Sequence, residues 1–202
     1  MQDNISLFGY LTADGLMIPH PSGPAAGGRV VDSLTLMPSW IRNLILIDGQ
    51  PIVEVDYSCM HPNIAMTLFG GTRQFINHQD VANSLGIPIE IVKRHHLSFF
   101  NKRYQDMLRS PLWNYYATNE ATMLSEVVRQ KALSPFGHKD TSRKLFGKEV
   151  EIMTDVMGEF YLKGIPSGYV YDAIVCKEDD RPEVTKTMNT VALDHGVYTS
   201  AK

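Results

Sequence analysis

Hydrophobic and polar positions alternate with a period of two in two stretches of the chain and recur at helical spacing over much of the rest. Residues 44–57 (LILIDGQPIVEVDY) alternate around Asp48-Gly49, a tight-turn dipeptide, and predict a strand, a turn and a second strand ending near Asp56. HPNIAMTLFGG then reads as a short helix with Pro62 in its first turn and Gly70 at its end. From about residue 81 to 134 the pattern is mostly helical. Within it, residues 89–101 gather Ile89, Val92, Phe99 and Phe100 on one arc that also holds Lys93 and His96, with Arg94, Ser98 and Asn101 opposite. A lysine inside an apolar arc either meets a partner or snorkels its ammonium to water. Residues 142–164 predict a further helix. Its stripe of Leu145, Ile152 and Val156 contains Glu149, while Glu151, Asp155 and Glu159 line the solvated side and Gly164 ends it. IPSGYVYDAIVCKEDD reads as two short strands meeting at Tyr171-Asp172 or just after it, and residues 181–194 as a closing helix. Residues 1–28, rich in Gly and Pro, read as an irregular arm.

Composition narrows the class. The 202 residues suggest one domain or two very small ones, and 44% hydrophobic with 20% charged residues excludes wholesale disorder. No apolar run approaches the ~18 residues of a membrane span, and the first residues show no secretory signal. Two cysteines, Cys59 and Cys176, are too few for a disulfide framework or a Cys-based zinc site, so an intracellular (cytoplasmic) protein is expected. The net charge of −3 hides a division. Between Lys93 and Lys148 there are 11 Lys/Arg against 4 Asp/Glu, and the remainder is correspondingly acidic. Such asymmetry fits a polyanion-binding surface beside a cation-binding region, or simply solvated helices with surplus Lys and Arg.

Asp56 ends an apolar strand (IVEVD) and Asp172 interrupts another (YVYDAIV). A carboxylate embedded in a β-run needs a partner, because an unpaired charge there costs several kcal/mol. Mg²⁺ is a common one, binding one or two carboxylates together with substrate phosphates. Two aspartates 116 positions apart, each on a strand, can share two ions about 3.5–4 Å apart. His95 and His96 point ~100° apart on a helix and do not form a shared metal site. Trp113, Tyr115 and Tyr116 near Arg109 are core residues or a base-stacking platform. No phosphate-binding P-loop, Rossmann glycine pattern or Ser-His-Asp arrangement is present.

The order of motifs carries a resemblance. GGRVVDS, MPSWIRNL and PIVEVDYSCMHPNI together resemble the approach to the first catalytic motif of family A DNA polymerases: a Gly-Arg element, an Arg-containing loop and an Asp-Tyr-Ser strand. LFGKEVEIMTDVMGEFYLKGIPSGYVYDAIVCKEDD looks like the helix and hairpin bearing that family's His-Asp motif, and IVKRHHLSFFN lies where the family has its Lys-bearing fingers helix. The resemblance spans roughly residues 27–195 and is greatest to compact relatives encoded by phages or mobile elements. It implies an α+β fold: a polymerase palm-like small antiparallel sheet with helices and a helical fingers-like insertion. Residues 1–28 would be the arm, 29–80 and 142–202 the two parts of the palm, and 81–141 the fingers-like region.

By resemblance, Asp56 and Asp172 are metal ligands for Mg²⁺ (or Mn²⁺), with the backbone carbonyl of Tyr57 a third. Lys93 contacts the incoming triphosphate, aided by Arg94. Arg29 and Arg42 touch the nucleic-acid backbone, and the basic Arg143 and Lys144 track phosphates. The sequence departs from the family at four places: Tyr171 replaces the His of His-Asp, Ala173 follows Asp172, Ile89 stands four before Lys93, and His61 stands where a Glu often excludes the ribose 2′-hydroxyl. The implied function is template-directed nucleotidyl transfer, as in DNA replication, onto primer–template DNA from nucleoside triphosphates. The sequence leaves DNA or RNA open. With no room for a proofreading domain, a processivity or replication partner is expected. The alternatives are a catalytically inactive nucleic-acid-binding protein of polymerase descent, and a two-metal nuclease.

Overall fold

The computed structural model describes residues 19–202 together with Ser6 and Gly9; the rest of the predicted arm lies outside the described residues. The part of the arm that is described is ordered rather than irregular. His20–Pro21 (β1) pairs antiparallel with Val30–Val31 (β2) around a 3₁₀ turn at Pro24–Ala26. Gly27, at φ 68°, lets this turn lie directly on a long helix: a Cβ there would come within 2.8 Å of the Phe146 and Gly147 backbone.

Two short helices, Ser33–Leu36 (α1) and Ser39–Arg42 (α2), lead into the sheet. Asp32 caps the first by accepting from the Thr35 amide at 2.8 Å. Leu46–Ile47 (β3) and Gln50–Ser58 (β4) form the predicted hairpin, with φ positive at both Asp48 and Gly49, as a primed turn requires. β4 runs two residues past Asp56. Met60–Phe69 (α3) follows and ends at Gly70, φ 73°.

A run of helices separates β4 from the other strands: His78–Leu85 (α4), Ile89–Phe99 (α5), Tyr104–Leu108 (α6), Pro111–Asn119 (α7) and Ala121–Leu133 (α8). Buried Lys131 ties this run together, its ammonium donating to the carbonyls of Phe100 (2.6 Å), Lys102 (3.1 Å) and His138 (2.6 Å). Asp140–Lys163 (α9) is the predicted long helix. Its buried Leu145, Ile152, Met153, Val156 and Phe160 face the sheet and α3.

Ser167–Val170 (β5), Ala173–Lys177 (β6), Arg181–Asp194 (α10) and Ser200–Ala201 (β7) complete the chain. The sheet order is β3-β4-β6-β5, with β7 pairing the far end of β4, and every pairing is antiparallel. One contiguous core joins the sheet to both groups of helices. Among the described residues no helix is long and apolar enough to cross a membrane. The architecture is α+β, as the sequence predicts.

Candidate active site

Alternation along β4 decides where Asp56 points. Val55 and Tyr57 are buried in the core, so Asp56 between them projects to the opposite, exposed face. The residue is therefore not embedded in apolar surroundings, as a reading of the run IVEVD suggested; it stands on a wall. Asp172 lies in the two-residue turn between β5 and β6, where the sequence places the meeting of two short strands. It closes a hairpin rather than interrupting one strand, and Tyr171 beside it takes a left-handed φ of 57°. The turn is fixed to β4 by the Tyr57 amide, which donates to the Asp172 carbonyl at 3.2 Å. Asp56 pairs with Ala173 of β6, so the two carboxylates, 116 residues apart in sequence, border one cleft of about 390 Å³.

Their electrostatics reflect that meeting. Partial burial, then the charge of Asp172, pushes the Asp56 carboxyl up to about 7. Asp172 is raised too, first by burial and then by Glu149, with His61 and Arg29 opposing. Neither carboxylate forms an ion pair within 4 Å among the described residues; Lys202 acts on Asp56, and His61 and Arg29 on Asp172, only from a greater distance, and both carboxyls stay raised. No group of three or more His, Cys, Asp or Glu suited to a metal occurs among the described residues. What the protein could offer a cation here is two carboxylates plus main chain. That donor set fits a hard cation completed by phosphate oxygens and water. Tyr57 borders the cleft but directs its phenol into the core, donating to the Met188 carbonyl at 2.5 Å, so it presents only main chain.

Behind Asp172 lies a buried ion cluster. Glu149, fully buried on α9, accepts from Arg29 Nε at 2.7 Å and Nη2 at 2.5 Å, and from His61 Nε2 at 2.6 Å. Burial would raise the Glu149 carboxyl; the His61 and Arg29 contacts outweigh it and hold it below the usual range. The Arg29 guanidinium also stacks 4.0 Å from the Phe146 ring and 5.0 Å from the Tyr171 ring. Arg29 and His61 are thus held by a carboxylate that the sequence marked only as an oddity on an apolar stripe.

The opposite wall is α5. Lys93 lines the cleft, exposed at the edge of the apolar arc, and resolves the sequence ambiguity toward solvent. Arg94 is exposed next to it and does not line the cleft. Four further cleft residues escaped the sequence reading. Leu97, one turn beyond Lys93, is 86% exposed, an apolar side chain held open on a helix that buries Val92 and Phe99. His78 and His96 meet Nδ1 to Nδ1 at 2.9 Å, and His96 Nε2 lies 2.9 Å from the buried Tyr116 hydroxyl. Burial lowers both, His78 to about 4 and His96 to about 3, so this chain is neutral at pH 7. Lys202 enters from β7. Only His96 carried a signal, as a polar residue within an apolar arc; Leu97 shares the helix of Lys93 but carried none, and His78 and Lys202 come from elements elsewhere in the chain.

The remaining predicted contacts lie outside this cleft and serve the fold. Arg42 donates to the Met37 carbonyl at 2.5 Å and pairs with Glu54 at 3.1 Å. Arg143 and Lys144 both pair with buried Asp140, at 3.3 and 2.8 Å. Tyr115 and Tyr116 are core residues.

No protein-family model matches this chain, and no curated protein matches it in sequence. Among solved structures it is similar to the POL domain of Pol1 from M. smegmatis in complex with DNA primer-template and dNTP, with a TM-score of 0.58 and 14% sequence identity. That similarity covers 87% of this chain and 45% of the other, so the chain spans less than half the length of the structure it matches. At such low identity the likeness concerns architecture: the chain has an α+β, polymerase-like fold.

Proposed function

We propose that this protein is a metal-dependent nucleotidyltransferase that extends a nucleic-acid strand on a template. The observation that carries the proposal is the convergence of Asp56 and Asp172 on one cleft, with no ion pair within 4 Å among the described residues, opposite a helix that presents Lys93. The polymerase-like fold supports it, and the similar structure holds primer-template DNA and dNTP.

Asp56 and Asp172, with the main chain of Tyr57, would hold Mg²⁺ or Mn²⁺. Divalent cations bound there supply acidity to a strand's 3′-hydroxyl and neutralise departing pyrophosphate. In the reaction the hydroxyl oxygen bonds to the α-phosphorus as the bond to the pyrophosphate oxygen breaks, and the hydroxyl proton leaves to solvent. The chain's own residues set the geometry. Lys93, which forms no ion pair among the described residues, neutralises the triphosphate from the helix side; Arg94, outside the cleft, adds only positive charge at its rim. Leu97 offers an apolar wall one turn away. The Glu149 cluster fixes Arg29 and His61 behind Asp172, holding the hairpin turn in place. Arg29, Arg143 and Lys144 would flank the path of the nucleic acid while also paired within the fold, whereas Arg42 is buried against Met37 and Glu54 and serves the fold.

Primer extension by the purified protein with Mg²⁺ or Mn²⁺ and nucleoside triphosphates tests the reading. Template-dependent lengthening of the primer is the expected result. Binding without extension would make it a nucleic-acid-binding protein, and shortening of labelled DNA without triphosphate would make it a nuclease.

A further inference from the structure

Beyond Thr199 the chain returns to the cleft as the strand β7. Lys202, the residue after it, exchanges both main-chain hydrogen bonds with Asp56: Asp56 N–H to Lys202 O and Lys202 N–H to Asp56 O, each 3.1 Å. Residues paired this way carry their side chains on one face of the sheet, with Cβ atoms about 5 Å apart. The strand is anchored on both sides. The Ala201 amide donates to Asn189 Oδ1 on α10 at 2.8 Å, and Thr199 Oγ1 donates to the Ser58 carbonyl at 2.7 Å.

The Lys202 side chain is exposed and lines the cleft with Asp56, Asp172 and Lys93. Despite its neighbour it closes on no carboxylate within 4 Å among the described residues. Arg29, Arg42, Arg143, Lys144 and Lys148 all do. A cation fixed by its backbone beside a carboxylate pair, acting on Asp56 from a distance but closed into no ion pair among the described residues, is placed for an anion that arrives together with a divalent ion. Resting on the nucleotidyl-transfer reading above, we propose that Lys202 is a second phosphate-binding cation of the cleft, contacting phosphate oxygens from the sheet side while Lys93 does so from the helix side. Those oxygens belong either to the incoming triphosphate or to the terminal phosphodiester of the strand being extended.

The position makes opposite demands on two ligands. An ammonium beside Asp56 repels a bare divalent ion and attracts a phosphate. Lys202→Met should therefore bind Mn²⁺ about threefold more tightly than wild type when no nucleotide is present, followed by electron spin resonance of free Mn²⁺. The same variant should bind a phosphate ligand about fivefold more weakly. Lys202→Arg should restore both. Calorimetry with Mn²⁺-tripolyphosphate reports the triphosphate source, and fluorescence anisotropy with a primer–template duplex reports the phosphodiester source; loss in either supports the proposal and says which. Unchanged affinity for both, failure of Arg to restore, or Mn²⁺ and phosphate weakening together through loss of the strand would overturn it. Wild-type protein that binds neither Mn²⁺ nor phosphate overturns it too. Because these measurements need no turnover, a protein that shows them without extending a primer would retire the polymerase reading while leaving Lys202 its role.

Discussion

At the scale of single residues the two cleft aspartates make separable predictions. Asp172→Asn should abolish nucleotidyl transfer, by several orders of magnitude in rate, while circular dichroism and nucleic-acid affinity stay near wild type. Asn keeps the volume and turn preference of Asp but loses the charge a hard cation needs. Extension at the wild-type rate would make Asp172 only a turn residue. Asp56 links the site to stability. Its carboxyl sits at about 7 in the folded protein against an ordinary 3.8, so the folded state holds that proton more tightly. Its ionisation then removes stability as pH rises from about 4 through 7. Asp56→Asn should be more stable than the parent at pH 8, by about 1 kcal/mol because the carboxylate stays open to water, and equal to it near pH 4. His78 and His96 work in the opposite direction. Their folded values of about 4 and about 3 lie below the ordinary 6.5, so their contribution is present above 6.5 and lost as pH falls through the folded values. Denaturant titrations of parent and variant at matched pH cancel that term. A stability gap independent of pH would contradict the assignment.

At the scale of elements, the contact between the arm turn and α9 positions Arg29. Gly27→Ala would place a methyl group 2.5 Å from Phe146 Cβ and strain a positive φ. The expected loss is about 2–4 kcal/mol from the combined strain and overpacking. Gly49→Ala, at φ 78° with open space around it, should lose only about 1 kcal/mol from backbone strain. Equal losses in denaturant unfolding would show that the packing against α9 does not matter. The hairpins and helix ends were legible in the sequence because each is a local device. Asp48-Gly49 makes a turn, and Gly70 and Gly164 stop helices in left-handed conformations. Order in the described part of the arm was not legible, since it depends on a helix more than a hundred residues away.

At the scale of the whole molecule, the excess of Lys and Arg between Lys93 and Lys148 predicts nucleic-acid binding that weakens with salt. The logarithm of the association constant should fall linearly with the logarithm of salt, by about 0.9 per phosphate contacted on duplex DNA. Replacing Arg143 and Lys144 by Gln should lower that slope and weaken all sequences alike. Gln is preferred to Glu here because Asp140 is buried against both cations, and a new acid beside it would confound folding with binding. Binding that is insensitive to salt would assign the basic stretch to fold maintenance alone.

The sequence by itself marked most of the elements and singled out Asp56, Asp172 and Lys93 as candidates, because hydrophobic period, turn dipeptides and misplaced charges are local properties of a chain; the α+β class came from the order of motifs and the resemblance they carry. It also marked Glu149 as a carboxylate on an apolar stripe, without its partners. Only the tertiary structure decided that the two aspartates face one cleft, since that depends on the pairing of β4 with β6 and on the left-handed turn at Tyr171. It likewise brought Arg29 and His61 onto Glu149, and Lys202 beside Asp56. Such meetings are long-range, and no periodicity encodes them: pairing register and helix packing place side chains together whose positions in the chain are unrelated.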